Sequence, residues 1–233
     1  MLNVSQLDVG YEESTVLREI EFKVKPGSVV ALLGRNGVGK TTMLKSIMGL
    51  LSPKKGKIQF MGEDITSFRP EERAKRGIGY VPQGRDIFST MTVEENLLLG
   101  LEALPKGQAK GSMPEDVLDM FPALREMLHR KGGDLSGGQQ QQLAIARALI
   151  GKPKLLLLDE PMEGIQPSIV MLIVDVIQRI AASKTVSIVL VEHSLDVALE
   201  CADYYYVLDK SQMVAEGDVH SLNQETITQH LVV

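Results

Sequence analysis

The fold of this chain is decided by the stretch Gly34-Arg35-Asn36-Gly37-Val38-Gly39-Lys40-Thr41-Thr42, which lies between an apolar run at 29–33 and a helical pattern at 43–48. Its glycines, lysine and first threonine satisfy the spacing G-x-x-x-x-G-K-[ST] of a phosphate-binding P-loop. Glycine lets successive backbone N–H groups turn toward one anion, and the following helix presents the positive end of its dipole to that anion. The stretch therefore predicts a binding site for a nucleoside triphosphate.

Each residue of this loop, from Gly34 to Thr42, is a candidate nucleotide-binding residue. Lys40 would place a positive charge near the β- and γ-phosphates, and the hydroxyl of Thr41 is a suitable ligand for Mg²⁺. We therefore expect the nucleotide to bind together with Mg²⁺.

The composition limits what else the chain binds. It has 233 residues, 25 of them basic and 30 acidic, which gives a formal charge of −5. Because proteins that bind duplexes normally carry a basic face, this charge argues mildly against nucleic acid as a major partner. The length suits one α/β domain, with or without a helical insertion.

Cys201 is the single cysteine, so an internal disulfide, a cysteine-based zinc site and an iron–sulfur site are excluded. We expect its thiol to be buried. The first seven residues lack the charged start and apolar core of a signal peptide, and no apolar run approaches the ~20 residues that a membrane-spanning helix needs. We therefore expect a soluble chain of the cytoplasm.

Short apolar runs alternate with helical patterns along most of the chain. Strand patterns lie at 2–9, 19–24, 29–33, 57–60, 78–81, 154–158, 186–191, 204–208 and 212–215. Helical patterns lie at 43–48, 70–75, 167–182 and 194–201, and 93 to about 131 is mostly helical. In that block Ser112-Met113-Pro114-Glu115 has the form of a capping box, and 104–111 has the composition of a surface loop. Strands that alternate with helices predict parallel sheet, so the fold class is α/β.

Four leucines, Leu155 to Leu158, lead directly into Asp159 and Glu160. A buried strand that delivers acids at its carboxyl end places them where α/β sheets bind ligands. An Asp there can hold Mg²⁺ in its second shell, and the adjacent Glu can polarise a water molecule for attack on a γ-phosphate. A solvated pair that only ends a strand is the alternative. The P-loop upstream favours the catalytic interpretation.

A second glycine-rich segment, Leu135-Ser136-Gly137-Gly138-Gln139, begins a helical pattern that continues to Leu149. Ser and two Gly at a helix N-terminus can form a further anion site, or only an N-cap with a flexible hinge. With this segment the chain resembles the ATP-binding subunits of the ABC transporter superfamily, for which L-S-G-G-Q is the defining signature. Six motifs occur in the order of the family, and the resemblance covers nearly the whole length.

The resemblance implies an α/β fold with a P-loop NTPase core of the ABC ATPase type, an antiparallel β subdomain and a helical subdomain. It implies one ATP-binding domain over residues 1–233, with the helical subdomain and the signature at about 85–150. In the family, two such domains hold two ATP molecules between them, head to tail. By resemblance, the signature would bind the ATP on the P-loop of the other domain through Ser136, Gly137, Gly138 and Gln139.

Three further residues take roles from the resemblance. Tyr11 matches the aromatic residue that stacks on adenine, and Gln83 matches the glutamine that touches Mg²⁺ and the attacking water and couples to the membrane partner. His193 matches the switch histidine that contacts the γ-phosphate. Taken alone, they would be a surface strand residue, a turn residue and a structural histidine. The implied cofactors are ATP and Mg²⁺, the implied catalytic residues are Glu160, His193 and Gln83, and the implied Mg²⁺ ligands are Thr41, Gln83 and Asp159.

Two positions depart from the pattern of the family. Gln166 stands where members usually have an Asp that reaches across the dimer, so the charge is lost while hydrogen bonding is kept. Gln142 stands where many members have Arg. Neither change removes a hydrolytic group.

The absence of a membrane segment implies that the pore is a separate polypeptide, as in bacterial importers. The implied partners are transmembrane permease subunits, a second ATPase subunit that is either this chain or a sister chain, and, indirectly, a periplasmic or extracellular substrate-binding protein. The implied location is peripheral, on the cytoplasmic face of the cell membrane.

The short chain resembles the branched-chain amino acid and urea importer family. Three of its segments, 82–88, 94–97 and 163–168, resemble the second ATPase of urea importers. Branched-chain amino acid members more often have Gly-Leu-Ala-Pro in the last of these segments. We therefore expect urea, or a short-chain amide, as the transported substrate, with branched-chain amino acids as the alternative.

Other P-loop proteins fit the motifs less well. A GTPase or a nucleotide kinase would have no use for the signature or for His193. A DNA-repair or chromosome-organising ATPase needs a long coiled coil between P-loop and signature, where this chain has about a hundred residues without sustained heptads. Translation-type ATPases usually carry two such domains in tandem.

Overall fold

A computed structural model describes residues 1–104, 115–222, 228, 230 and 231, which form two β-sheets and flanking helices. The strands are β1 (Leu2–Val9), β2 (Leu17–Val24), β3 (Val29–Leu33), β4 (Lys55–Phe60), β5 (Glu63–Asp64), β6 (Ile78–Val81), β7 (Leu155–Asp159), β8 (Ser187–Val191), β9 (Tyr204–Asp209) and β10 (Gln212–Asp218). The helices are α1 (Lys40–Met48), α2 (Pro70–Lys75), α3 (Val93–Leu99), α4 (Glu115–Met120), α5 (Pro122–Arg125), α6 (Gly137–Ile150), α7 (Pro167–Ser183) and α8 (Leu195–Cys201). In this described part of the chain, no helix is long and apolar enough to cross a lipid bilayer.

The larger sheet has the strand order β10-β9-β3-β8-β7-β6. All its neighbouring strands run parallel except β10, and every residue of β3, β7 and β8 is buried. Continuous apolar runs are typical of parallel strands covered on both faces, so the predicted parallel α/β sheet is confirmed. β10 pairs antiparallel with β9 because only Lys210 and Ser211 connect them, both with positive φ, and two residues cannot form a parallel crossover.

The smaller sheet has the order β2-β1-β4-β5 and is antiparallel throughout. Its inner face joins the larger sheet in one apolar cluster, where Phe22 and Ile58 share the core with Leu32 of β3 and Leu44 of α1. This sheet therefore supports the helix that follows the P-loop. The sequence did not predict β5, since its two residues are exposed and acidic and carry no apolar pattern.

The block predicted as mostly helical, from 93 to about 131, is broken into short pieces. Helix α3 passes into a 3₁₀ turn at Gly100–Ala103, and Pro122 begins α5 because proline suits a first turn and cannot continue α4. The predicted loop at 104–111 and the first three residues of the predicted capping box at 112–115 lie outside the described residues, apart from Leu104. Glu115 begins α4.

Helices α3 and α6 pack against the second core cluster, which also contains Leu156 of β7. The fully buried Asn96 of α3 ties this group to the segment after β6. Its Nδ2 donates to the carbonyl oxygen of Phe88 at 2.9 Å, and its Oδ1 accepts from the backbone N–H of Phe88 at 2.9 Å. Elsewhere, Cys201 is buried at the end of α8 as predicted, and burial raises the pKa of its thiol to about 12.

The guanidinium of Arg73 connects α2 to the end of α1. Its side chain is fully buried, and it donates to the carbonyl oxygens of Ser46 at 2.7 Å, Ile47 at 2.8 Å, Thr66 at 2.8 Å and Phe68 at 3.0 Å. Burial lowers the pKa of Arg73 to about 10, so the group stays charged at neutral pH. Arg73 therefore satisfies the carbonyl group of Ile47 near the end of α1 and is a second donor to that of Ser46, which also accepts from the backbone N–H of Gly49.

We expect Arg73→Met to lower the free energy of unfolding by about 3 kcal/mol, because the buried carbonyl group of Ile47 and the partly buried ones of Thr66 and Phe68 lose the donor that Arg73 gives them. The control is Arg76→Met, which removes an exposed ion pair with Glu63 and should lower the free energy of unfolding much less, because water screens exposed charges. Urea unfolding followed by circular dichroism measures both. Equal effects of the two substitutions would contradict the role given to Arg73.

Candidate nucleotide-binding and catalytic site

Three parallel strands end side by side at the carboxyl edge of the larger sheet. β3 leads into the loop 34–39, β7 ends at Asp159 with Glu160 next, and β8 is followed by Glu192 and His193. In α/β proteins this edge is where ligands bind. The topology therefore brings together motifs that are far apart in the sequence.

The loop 34–39 closes around the side chain of Lys40. The ammonium donates to the carbonyl oxygens of Gly34 at 2.8 Å and Arg35 at 2.9 Å. Gly39, the residue before α1, has a φ of 114°, and a Cβ there would lie 2.7 Å from Cδ2 of Leu17. Only glycine fits this position without strain. The loop has the shape that the motif predicts, with the N-terminus of α1 facing the same space.

Lys40 is 4% exposed, and Oε1 of Glu160 lies 3.8 Å from its Nζ. Burial lowers the pKa of Lys40, and the charges of Glu160 and Asp159 oppose that shift. A buried ammonium at this distance from its counter-ion gains from further negative charge close to it. The phosphates of a nucleotide would supply that charge.

Asp159 is fully buried at the end of β7, and each of its carboxylate oxygens accepts one hydrogen bond. Thr41 Oγ1 donates to Oδ1 at 3.2 Å, and the Tyr80 hydroxyl donates to Oδ2 at 3.3 Å. Burial raises the pKa of Asp159, and the hydrogen bond from Thr41 partly opposes this shift. Two of the predicted Mg²⁺ ligands, Thr41 and Asp159, are therefore in direct contact.

Glu160 is the residue at which the predicted catalytic groups meet. Its Oε1 lies 2.6 Å from Nε2 of His193, and its Oε2 accepts a hydrogen bond from Nε2 of Gln83 at 2.9 Å. Its side chain is nearly buried, and its backbone φ of 50° lies in the left-handed region that residues other than glycine rarely adopt. A carboxylate held between an imidazole and an amide in this way can accept a proton from a water molecule.

A cavity of about 490 Å³ lies over the P-loop. This volume falls within the range of roughly 300–1,000 Å³ that is typical of small-molecule sites. The predicted residues that line it are Tyr11, Asn36, Gly37, Gly39, Lys40, Thr41, Thr42, Gln83 and Glu160. Val16 and Glu163, which were not predicted, also line it.

The other predicted residues near the P-loop do not line the cavity but contact residues that do, or the core beneath them. Gly34 and Arg35 accept hydrogen bonds from Lys40, as described above, Asp159 accepts one from Thr41, and His193 contacts Glu160. Val38 instead packs against the apolar core. The structure therefore gathers the loop, the acids, Gln83 and His193 around one cavity.

The predicted anion site at 136–139 lies at the start of α6. Ser136 is the N-cap: its Oγ accepts a hydrogen bond from the backbone N–H of Gln139 at 3.4 Å, while Gln139 Oε1 accepts one from the backbone N–H of Ser136 at 2.9 Å. This reciprocal pair is a capping box. Ser136, Gly137, Gly138 and Gln139 do not line the cavity over the P-loop of their own chain.

Three acidic or phenolic residues of the site escaped the sequence analysis. Tyr80 holds Asp159, Glu163 accepts a hydrogen bond from Gln83 Nε2 at 2.8 Å, and Glu192 accepts from the backbone N–H of His193 at 3.1 Å. Glu192 is buried, and burial raises the pKa of its carboxyl group. The sequence feature that could have indicated them is proximity, since each lies within three positions of a predicted site residue.

The two departures from the family pattern occupy different environments. Gln166 is the exposed N-cap of α7, and its side chain makes no capping hydrogen bond. Gln142 is buried, and its Oε1 has no hydrogen-bond partner in the described part of the chain. Nothing in the structure explains the choice of glutamine at either position.

Comparison with known proteins decides the family. The family model described as ABC transporter matches residues 17–163, more than half of the chain. The chain belongs to the ABC transporter family. This ABC ATPase is 38% identical over 222 residues to the "Probable branched-chain amino acid transport ATP-binding protein LivF" of Archaeoglobus fulgidus, over 95% of this chain and 94% of that protein. It is also 38% identical over 214 residues to the "High-affinity branched-chain amino acid transport ATP-binding protein BraG" of Pseudomonas aeruginosa, over 92% and 91%.

Solved structures share the fold of this ABC ATPase. A nucleotide-free ATP-binding cassette from an ABC transporter gives a TM-score of 0.83 at 30% identity, over 100% of this chain and 95% of that one. A dimeric ATP-binding cassette in a post-hydrolysis state, bound to ADP and Pi, gives 0.85 at 25% identity, over 95% and 100%. The predicted fold class is confirmed, and the chain is an ATPase of the kind that hydrolyses ATP to power transport.

Proposed function

We propose that this importer-type ABC ATPase is a single ATP-binding domain, over residues 1–233, that energises uptake through separate membrane subunits. The observation that carries the proposal is the carboxylate of Glu160, which lies beside the P-loop in contact with His193 and Gln83. From that position it can accept a proton from water that attacks the γ-phosphate. Binding and hydrolysis of ATP then alternate two arrangements of the ATPase, which drive the membrane subunits.

The other residues of the cavity have separate tasks in this proposal. Lys40 and the backbone of 34–42 bind the phosphates. Tyr11, whose side chain is 47% exposed at the wall of the cavity, stacks on the adenine. His193 holds the Glu160 carboxylate and contacts the γ-phosphate. Hydrolysis therefore requires groups from all three strand ends.

The residues present fit Mg²⁺ as the second cofactor. The hydroxyl of Thr41, the carboxylate of Asp159 and the amide of Gln83 offer oxygen donors, which this hard cation prefers. The oxygens of buried Asp159 accept hydrogen bonds from the neutral hydroxyl groups of Thr41 and Tyr80, so a nearby cation would compensate its charge. When bound, Mg²⁺ neutralises part of the charge on the β- and γ-phosphates.

We expect Glu160→Gln to retain nucleotide binding and to lower turnover by about 10³-fold, because an amide cannot accept the proton of the attacking water. ATP-bound dimer should accumulate. Phosphate release and size-exclusion chromatography measure the two effects, with the exposed Glu71→Gln as the control. Normal turnover in Glu160→Gln would disprove the assignment of the base.

The signature segment acts, in this proposal, on the nucleotide of a second ATPase subunit, which is either the same chain or a sister chain. Two observations support this. Ser136, Gly137, Gly138 and Gln139 form the N-terminal end of the 14-residue helix α6, where backbone N–H groups favour an anion, and they lie away from the cavity of their own chain. A solved relative with ADP and Pi is dimeric.

Ser136→Ala should leave nucleotide binding by the isolated chain unchanged and lower turnover by about 100-fold, because it removes one hydrogen-bond donor to the phosphate of the opposing site. Fluorescent-nucleotide titration and phosphate release measure the two properties. Ser52→Ala, at an exposed turn before β4, is the control. An equal loss of binding and turnover in Ser136→Ala would argue against action on the opposing nucleotide.

A second cavity, of about 760 Å³, adjoins the ATP site and is the surface we propose for the permease subunits. Leu50 and Phe88, both more than half exposed, contribute apolar surface to it, and its lining also includes Gln83 and Asp159. A permease segment seated there would contact the same glutamine that touches Glu160. The ATPase would then lie on the cytoplasmic face of the membrane as a peripheral subunit.

Urea is the transported substrate that we propose, on the resemblance of 82–88, 94–97 and 163–168 to the second ATPase of urea importers. The specific observation that favours branched-chain amino acids is the description of the relatives LivF and BraG, each 38% identical to this chain. In either case a substrate-binding protein outside the membrane would deliver the solute. Transport is therefore the property that separates the two candidates.

Deletion of the gene in its host should abolish uptake of ¹⁴C-urea and leave uptake of ¹⁴C-leucine unchanged, because the ATPase energises one importer. Restoration by the wild-type gene, but not by the Glu160→Gln gene, is the control. Loss of leucine uptake with normal urea uptake would contradict the proposed substrate and favour the second candidate.

A further inference from the structure

Glu163 belongs to none of the motifs from which the site was predicted, yet it lines the cavity over the P-loop. Its Oε2 accepts a hydrogen bond from Nε2 of Gln83 at 2.8 Å, and the same nitrogen donates to Oε2 of Glu160 at 2.9 Å. One amide nitrogen is thus shared between two carboxylates, Glu160 and Glu163.

A turn in the backbone after β7 brings the carboxylates of Glu160 and Glu163 to the same amide group, that of Gln83. Glu160 has a φ of 50°, Gly164 has a φ of 65°, and the backbone N–H of Glu163 donates to the carbonyl oxygen of Glu160 at 3.2 Å. The chain therefore turns back on itself between Glu160 and Gly164. This turn brings the Glu163 carboxylate to an amide that belongs to the segment after β6.

A primary amide has two N–H donors and one carbonyl acceptor, whereas an ionised carboxylate only accepts. With both donors of Gln83 turned to Glu160 and Glu163, a flipped amide would set its carbonyl oxygen against two carboxylate oxygens. That orientation is therefore excluded. Because Nε2 is the atom that contacts both acids, Oε1 of Gln83 is the atom left for a cation.

We propose that Glu163 is a positioning residue that fixes the amide of Gln83 so that its Oε1 is presented to the metal ion of the nucleotide site. This inference rests on the proposed function, in which Gln83 is a ligand of Mg²⁺. Glu163 acts through Gln83 and contacts no reacting atom. It also connects the segment after β6 to the loop that leads to α7.

In Glu163→Ala, the Mg²⁺ concentration that half-saturates nucleotide binding should rise about 10-fold, because partners that orient a metal ligand typically contribute that much to metal affinity. Binding of ATP in EDTA should not change. In the nucleotide-free protein, exchange of the backbone amide hydrogens of residues 83–85 should become faster, because the side chain of Gln83 has lost its hydrogen bond to Glu163. Glu163→Asp should restore part of the Mg²⁺ affinity, and Glu71→Ala is the matched surface control.

The Gln83→Ala background tests whether Glu163 acts through the amide. There, a further Glu163→Ala should change the Mg²⁺ requirement by less than about twofold, because residues that act as a unit are not additive. An effect of Glu163→Ala that is as large without Gln83 as with it would overturn the proposal. So would an equal loss of ATP binding with Mg²⁺ and in EDTA.

The variants also separate this inference from the proposed function. An unchanged Mg²⁺ requirement in Gln83→Ala would disprove the metal role of Gln83, and the role of Glu163 with it. A raised requirement in Gln83→Ala with an unchanged one in Glu163→Ala would overturn only the role of Glu163. Turnover in Glu160→Gln reports on the catalytic base and does not enter these measurements.

Discussion

The balance of charge around Lys40 is the constraint on which the rest of the site depends. One buried ammonium faces the carboxylates of Asp159, Glu160 and Glu192 at the carboxyl edge of the sheet. An excess of negative charge at low dielectric would repel a triphosphate strongly. A cation that accompanies the phosphates would therefore strengthen nucleotide binding at this edge, and the neutral hydroxyl and amide groups around the acids are suited to admit one.

The segment after β6 connects the ATP site to helices α3 and α6, which otherwise pack against the larger sheet through apolar side chains. At one end Gln83 contacts the acids of the ATP site. At the other end Asn96 holds the backbone of Phe88, and Arg147 of α6 donates to the carbonyl oxygen of Asp86 at 2.7 Å. A displacement of the helices that carry Asn96 and Arg147 would thus reach the carboxylate of Glu160 through hydrogen bonds along one short stretch of chain.

The sequence predicted the P-loop and the acids after β7 because each follows an apolar strand, whereas the role of His193 after β8 came from the resemblance to the ABC family. It could not place Tyr80 or Glu163, since their importance comes from contacts between segments that different strands deliver. For a related reason, the sequence predicted the block after β6 only as mostly helical and did not give the bounds of its short helices. Its short helices are stabilised by tertiary packing and by Asn96, which periodicity does not reveal.

The capping bond of Ser136 has a consequence for how this position can evolve. Its Oγ accepts a hydrogen bond from the backbone N–H of Gln139, so the oxygen supports the helix, and a hydroxyl group can donate its own hydrogen to another acceptor at the same time. Aspartate caps helices equally well but would bring a charge against a phosphate. In the proposed function, a residue that keeps the cap but lacks a hydroxyl group would therefore still weaken the contact with the phosphate, and only a hydroxyl side chain serves the helix and the ligand together.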